Sequence, residues 1–125
     1  MKLLLDSNAF IWAYARPGEL STAARRALGD PANDRLISMA SIWEIAIKMS
    51  NGKLVLTDDL ASALDVVVVS PLPISLAHID RMRTLPYHHR DPFDRLIIAQ
   101  AMEEGLTIVT RDRRFPAYGV PLLMA

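Results

Sequence analysis

Four acidic residues that lie far apart in the chain have the chemistry to bind a hard divalent cation. Each falls where a predicted strand ends or a predicted helix begins: Asp6, Glu44, Asp94 and Asp112. A buried carboxylate costs several kcal/mol to desolvate without a partner, so a cluster of them requires a cation. Carboxylate and water ligands suit magnesium or manganese. Such an ion can activate a water for attack on a substrate that carries phosphate. The four acids therefore predict phosphodiester hydrolysis.

The elements that must position these acids alternate between strands and helices. Apolar runs without a helical period predict strands at Lys2 to Leu5, Arg35 to Ser38 and Leu106 to Val109. Shorter strands are predicted at Val66 to Val69, Leu72 to Ile74 and Tyr118 to Leu123. Capping residues and glycine stops predict helices at Ala9 to Ala15, Ser21 to Leu28, Ser41 to Gly52, Thr57 to Asp65, Ser75 to Arg83 and Asp91 to Glu104. This alternation predicts an α/β fold whose mainly parallel sheet has helices on both faces.

Chain direction brings the four acids to one edge of that sheet. Asp6 directly follows the first strand, and Asp112 follows the strand that ends at Val109. Glu44 is predicted in the first turn of a helix entered from the carboxyl end of a strand. Asp94 begins a helix that runs antiparallel to the strand at Leu106. Because ligands of parallel α/β sheets bind beyond the carboxyl ends of the strands, this edge is the predicted site.

Each acid also has a structural explanation that involves no metal. Ser41 and Glu44 match a capping box, and Asp91 is predicted to cap the helix in which Asp94 supplies first-turn charge. Capping explains each acid singly but not their shared location. Ser7 and Thr110, beside the same edge, are predicted to hold carboxylates or a water by hydrogen bonds.

Charge and composition narrow the class further. Fourteen basic and fourteen acidic residues cancel, which argues against a protein that coats nucleic acid through net charge. Seven of the eleven arginines lie between Arg81 and Arg114, and arginine suits bidentate contact with phosphate. The candidate contacts to substrate phosphate are Arg90, Arg95, Arg111 and Arg113. The absence of cysteine excludes thiolate zinc sites. The length predicts a single domain over residues 1–125, and without an apolar stretch long enough for a membrane span we expect a cytoplasmic protein.

Four segments resemble, in the same order, the PIN-domain ribonucleases of the VapC toxin type. They are LLLDSNAFIW, SIWEIAIKMSNGKL, HHRDPFDRLIIAQA and TIVTRDRRFPAYGV, and together they span nearly the whole chain. The resemblance implies a three-layer α/β/α PIN-like domain with metal-dependent endoribonuclease activity. It matches Asp6, Glu44, Asp94 and Asp112 to the family's acidic positions, with Glu44 the one expected to act through water. It also implies a homodimer and a cognate VapB-type antitoxin that covers the acidic edge.

Other readings of the same residues remain as alternatives. A magnesium-binding receiver-like module also gathers acids at strand ends, but it carries paired acids after the first strand, where Asp6 stands alone. A DNA structure-specific nuclease would use the same metal site. A histidine metal site is disfavoured, because adjacent histidines such as His88 and His89 rarely point at one ion.

Overall fold

A computed structural model of the chain describes all 125 residues. The strands are β1 (Lys2–Leu5), β2 (Asp34–Ser38), β3 (Ser70–Leu72), β4 (Thr107–Thr110) and β5 (Leu122–Met124). The helices are α1 (Ser7–Ala15), α2 (Thr22–Gly29), α3 (Met39–Ser50), α4 (Leu60–Val67), α5 (Leu76–Arg83) and α6 (Pro92–Glu104). Short 3-10 helices occur at Pro17–Glu19 and Pro116–Tyr118. No helix has the length and apolar character that a membrane crossing requires.

The sheet is parallel throughout, with the strand order β3-β2-β1-β4-β5. The central strand β1 pairs on both sides, so that Leu5 lies beside Ile37 of β2 and Val109 of β4. The carboxyl ends of β1 and β4 are therefore neighbours. The predicted parallel α/β sheet is confirmed, and its reversal of strand order at β1 opens the edge on which the site lies.

Helices cover both faces of the sheet because successive side chains of a strand point in opposite directions. Leu3 and Leu5 of β1 belong to a core that includes Phe10 of α1, whereas Leu4 belongs to a second core that includes Ile98 of α6. All three leucines are fully buried. Each buried leucine side chain contributes about 1.5 to 3 kcal/mol relative to an exposed one. The resulting three-layer α/β/α arrangement confirms the predicted architecture.

The helix that carries Glu44 begins earlier than predicted. Ser38 is both the last residue of β2 and the N-cap of α3, and its hydroxyl accepts a hydrogen bond from the Ala40 N–H at 3.0 Å. The capping box of Ser41 and Glu44 is therefore wrong: Ser41 is buried within the helix, and Glu44 lies in its second turn. Because the last residue of β2 is also the N-cap of α3, no linker separates the strand from the helix.

The four valines do not form the predicted strand from Val66 to Val69. α4, capped by Asp59, runs through Val67, and Val68 takes the left-handed conformation with φ 60° that ends the helix. The edge strand is Ser70–Leu72 instead of Leu72 to Ile74. Its Pro71 is tolerated because an edge strand uses only one of its sides for pairing.

The last strand is also shorter than the predicted Tyr118 to Leu123. Tyr118 ends a 3-10 helix, and Gly119 follows with φ 71°, which is a turn conformation and not an extended one. β5 therefore begins at Leu122, pairing with Ile108 of β4.

Candidate metal centre

The structure brings all four predicted acids to one polar cleft at the carboxyl edge of the sheet. The cleft has a volume of about 220 Å³, and none of its lining residues is hydrophobic. The lining residues are Asp6, Ser7, Asn8, Glu44, Lys48, Asp91, Asp94, Asp112 and Arg114. Asp91, placed outside the acidic set by the sequence, therefore also faces the cleft while capping α6 through the Phe93 and Asp94 N–H groups.

Asp6 is the most deeply buried of the four acids. It leaves β1 and caps α1, where its Oδ1 accepts a hydrogen bond from the Ala9 N–H at 2.7 Å. The Thr110 hydroxyl at the end of β4 donates to its Oδ2 at 2.5 Å. Burial raises the pKa of Asp6, and the charges of Asp112 and Glu44 add to that rise, which the two hydrogen bonds only partly oppose. A cation beside Asp6 would relieve this cost.

Glu44 reaches the cleft from α3 and is held by two neighbours. The Ser7 hydroxyl donates to its Oε1 at 2.5 Å, so the first turn of α1 fixes the carboxylate of a different helix. Lys48, one turn further along α3, places its Nζ 3.9 Å from Oε2. Ser7 and Thr110 thus each donate to one carboxylate of the cleft.

Asp94 is a second acid of the cleft with a strongly perturbed carboxyl group. It lies in the first turn of α6, directly after Pro92 and Phe93. Burial, followed by the charges of Asp91, Asp6, Glu44 and Asp112, raises the pKa of Asp94 to about 8. In the metal-free protein at neutral pH, Asp94 is therefore predominantly protonated.

Asp112 differs from Asp94 in that its carboxyl group stays ionised. Its burial acts to raise its pKa, but hydrogen bonds from the Arg114 side chain and N–H and from His89 outweigh that effect and lower the pKa. The Arg114 Nε lies 3.1 Å from the Asp112 Oδ1, and the Arg114 N–H donates to the same oxygen at 2.8 Å. The cleft therefore contains both a proton-holding and an ionised carboxyl group.

The residues of the site that were not identified from the sequence include His89, Lys48 and Arg114. Arg114 stands two residues after Asp112, a spacing at which an aspartate accepts hydrogen bonds from the following turn. Lys48 lies one helical turn after Glu44, which is the spacing of an intrahelical ion pair. His89 is buried, and its Nε2 contacts both Asp94 and Asp112.

Arg95 is not an RNA phosphate contact, contrary to the sequence prediction. Its side chain is buried, and its guanidinium donates to four backbone carbonyls of the segment before α6. These are the carbonyls of Met82, Leu85, Pro86 and His89. The guanidinium also lies 4.0 Å from the centre of the Tyr87 ring. Arg95 follows Asp94 directly, so the turn of the helix directs it into the protein, where it organises this loop.

Arg111 is also committed to the protein and not to the cleft. Its guanidinium donates to the main-chain oxygens of Glu19 and Ala125 and lies 4.3 Å from the centre of the Trp12 ring. These contacts hold the guanidinium against the protein, and a role of Arg111 as a phosphate contact stays a prediction. Arg90 and Arg113 are exposed, as that role requires.

The donor set of the cleft fits a hard divalent cation. Four carboxylates from four separate elements converge there, and two of them have raised pKa values because they are crowded and buried. Oxygen ligands without thiolates match the preferences of magnesium and manganese. A divalent cation at this position would offset the repulsion between the carboxylates. Without a cation, the protein reduces that repulsion by keeping a proton on Asp94.

The family model of the PIN domain matches residues 3–121 of the chain. The chain belongs to the PIN-domain family. Ribonuclease VapC22 from Mycobacterium tuberculosis (strain ATCC 25618 / H37Rv) is a relative by sequence, 31% identical over 126 residues that cover 95% of this chain and 93% of that protein. The resemblance to VapC-type PIN proteins is confirmed, and a receiver-like module is no longer an alternative.

Solved structures share the PIN fold of this chain. VapBC2 from Rickettsia felis, bound to a DNA fragment from its promoter, aligns with a TM-score of 0.77 at 19% identity and with 98% of each chain covered. A toxin-antitoxin complex from Klebsiella pneumoniae aligns with a TM-score of 0.66 at 21% identity, over 98% of this chain and 96% of that one. The backbone arrangement is thus retained while most side chains differ.

Proposed function

We propose that this PIN-domain protein is a metal-dependent endoribonuclease toxin that hydrolyses RNA phosphodiester bonds. The observation that carries the proposal is the convergence of Asp6, Glu44, Asp94 and Asp112 on one cleft without hydrophobic lining. The substrate class is supported by the relative that is named a ribonuclease. The proposed products carry a 5'-phosphate.

Asp6, Asp94 and Asp112 are the residues proposed to hold Mg²⁺ or Mn²⁺, with Glu44 beside them. When bound, such an ion activates water for attack on phosphorus and stabilises negative charge on the leaving oxygen. Asp6 is presented to it with both of its oxygens oriented, by the Ala9 N–H and the Thr110 hydroxyl. Asp94 must release its proton before it binds a cation, because metal ligands act in their deprotonated form.

Basic side chains at the cleft supply the proposed contacts to substrate phosphate. Lys48 and Arg114 line the cleft itself, on α3 and after β4. Arg114 is exposed, and Lys48 is partly exposed, so both have donors that face solvent. Arg90 and Arg113 are proposed to extend this contact along the RNA backbone, since arginine binds phosphate with parallel donors.

The proposed protein partner is a cognate VapB-type antitoxin that occupies an apolar groove beside the cleft. The groove has a volume of about 240 Å³ and is lined by Ala40, Trp43, Ile74, Ile79, Met82, Pro92, Phe93 and Leu96. Trp43 is 63% exposed and meets Phe93 edge to face, with 5.2 Å between ring centres. Trp43 precedes Glu44 and Phe93 precedes Asp94, so a helix seated in the groove would lie next to the acids. The complexes solved for structural relatives support this choice of partner.

A cleavage assay tests the proposed activity. Purified wild-type protein should cut structured RNA when manganese is added, and a chelator should abolish the cleavage. Asp94→Asn should lower the rate at least about 100-fold, as expected for loss of a ligand that acts in the transition state. Asp80→Asn is the matched control, since Asp80 is an exposed acid of α5 paired only with Arg83.

Equal cleavage by wild-type protein and Asp94→Asn, or cleavage that survives chelation, would contradict the mechanism. A parallel assay on single-stranded and branched DNA separates the proposal from its rival on the same fold. Preferential cleavage of the DNA substrates would establish a DNA structure-specific nuclease instead.

A further inference from the structure

His89 connects two acids of the cleft that come from different elements. It lies on the loop between α5 and α6, its side chain is 1% exposed, and its Nε2 is 3.0 Å from the Asp94 Oδ2 and 2.9 Å from the Asp112 Oδ2. Asp94 belongs to α6 and Asp112 follows β4. One ring nitrogen is therefore shared by two carboxyl groups.

A backbone hydrogen bond fixes which nitrogen of His89 carries the proton. The Asp91 N–H donates to the His89 Nδ1 at 3.1 Å. A backbone amide can only donate, so Nδ1 must present its lone pair, and the proton of the neutral ring lies on Nε2. Nε2 is thus a donor that is hydrogen bonded to the Asp112 Oδ2, with the Asp94 Oδ2 3.0 Å away.

This tautomer argues against His89 as a metal ligand. The ligand atoms of His89, Asp94 and Asp112 lie within 4.8 Å of one another, a spacing that would allow all three to hold one ion. Binding through Nε2 would require a lone pair there and would move the proton to Nδ1. The Nδ1 proton would then face the Asp91 N–H, and neither donor would have an acceptor. Leaving these donors unpaired costs free energy, whereas the present tautomer pairs them in a hydrogen bond.

The loop around His89 is built to hold this orientation. The His89 N–H donates to the Tyr118 hydroxyl at 2.8 Å, and the His89 carbonyl accepts from Arg95 at 3.3 Å. The imidazole packs edge to face against Phe115, with 5.6 Å between ring centres. Backbone and ring are therefore restrained separately, and the Nε2 donor has little freedom to leave the two acids.

We propose that His89 is a positioning residue whose Nε2–H holds Asp94 and Asp112 side by side for a shared divalent cation without binding that cation itself. The inference rests on the proposed metal centre and adds to it a residue that acts through the ligands. Residues that orient metal ligands in this way typically change metal affinity about 10- to 100-fold when they are removed.

Two substitutions separate the two hydrogen bonds of the ring. Asparagine places its Oδ1 as many bonds from Cβ as Nδ1, so His89→Asn keeps an acceptor for the Asp91 N–H but loses the donor to the acids. Glutamine places its Nε2 as many bonds from Cβ as the imidazole Nε2, so His89→Gln keeps that donor. If His89 only orders the loop, His89→Asn should keep more of the wild-type metal affinity than His89→Gln. If His89 acts at the metal centre, His89→Gln should keep more of it than His89→Asn.

The experiment measures Mn²⁺ affinity by calorimetry for wild-type protein and both variants, with circular dichroism to verify the fold. We expect His89→Asn to weaken binding about 10- to 100-fold and His89→Gln to bind close to wild type. His88→Asn is the matched control, because the exposed ring of His88 packs against Tyr118 and does not reach the cleft. It should bind Mn²⁺ like the wild type.

Pulsed electron paramagnetic resonance of the Mn²⁺ complex gives an independent readout, with no coupling from a directly coordinated nitrogen expected. Such a coupling, unchanged affinity in His89→Asn, or equal losses in His89→Asn and His88→Asn would each overturn the positioning role while leaving the metal centre intact. Failure of wild-type protein to bind Mn²⁺ would overturn the proposed metal centre and, with it, this inference.

Discussion

Asp94 is the residue at which proton and metal compete most directly. Burial and four neighbouring carboxyl groups raise its pKa to about 8, so it holds a proton when no cation is present. Asp112, hydrogen bonded to Arg114 and His89, stays ionised because its pKa is lowered. A divalent ion entering the cleft therefore meets one ready ligand and displaces a proton from another, and its affinity should rise with pH up to about 8.

The proton on Asp94 should make the stability of the metal-free protein depend on pH. With its pKa raised, Asp94 binds a proton in the folded state that the unfolded chain releases near pH 4, so the free energy of unfolding falls as pH rises from about 4 to about 8. Urea unfolding in the presence of a chelator measures this fall. Asp94→Asn should make it shallower, and added magnesium should oppose it in the wild type. An equally steep fall in Asp94→Asn would contradict the raised pKa.

Elements with unambiguous ends were predictable from the sequence, and α6 with its acid Asp94 is the clearest case. α6 begins at Pro92 after its Asp91 cap and stops at Gly105, whose φ of 67° suits glycine, so Asp94 had to lie beside the carboxyl end of β4. α3 was placed too late because Ser38 and Ser41 are both capable caps. Only pairing of β2 up to Ser38 decides between them.

Side-chain directions were less predictable than elements. Arg95 follows Asp94 in the sequence, yet its burial depends on carbonyls of the loop between α5 and α6 that no local pattern reveals. The same loop brings His89 to the acids. His89 and Arg95 both belong to the segment HHRDPFDRLIIAQA. The sequence reveals the segment, whereas the role of each residue in it depends on tertiary contacts.

The groove formed by α3, α5 and α6 gives a prediction at the scale of elements. Trp43→Glu should prevent binding of the cognate antitoxin, because it places a charge in an apolar groove, while leaving RNA cleavage intact. Val66→Glu is the matched control, since Val66 of α4 is 58% exposed and lies outside the groove. Co-purification measures binding. Retention of the antitoxin by Trp43→Glu would place its seat elsewhere.

The whole molecule combines two neighbouring surfaces of opposite character. The acidic cleft and the apolar groove share the first turns of α6 and the middle of α3, so one partner can cover both. A balanced total charge leaves RNA attraction to local arginines and lysine near the cleft. Homodimerisation stays a prediction, and a light-scattering mass of 13.9 kDa, that of one chain, would contradict it.

The location of a bound ion tests the central claim most directly. Crystals soaked in manganese should show an anomalous scattering peak in the cleft between Asp6, Asp94 and Asp112, and the peak should be lost or strongly reduced in Asp94→Asn. Crystals of active protein that show no peak in this cleft, or a peak only elsewhere, would contradict the metal centre proposed for this PIN-domain protein.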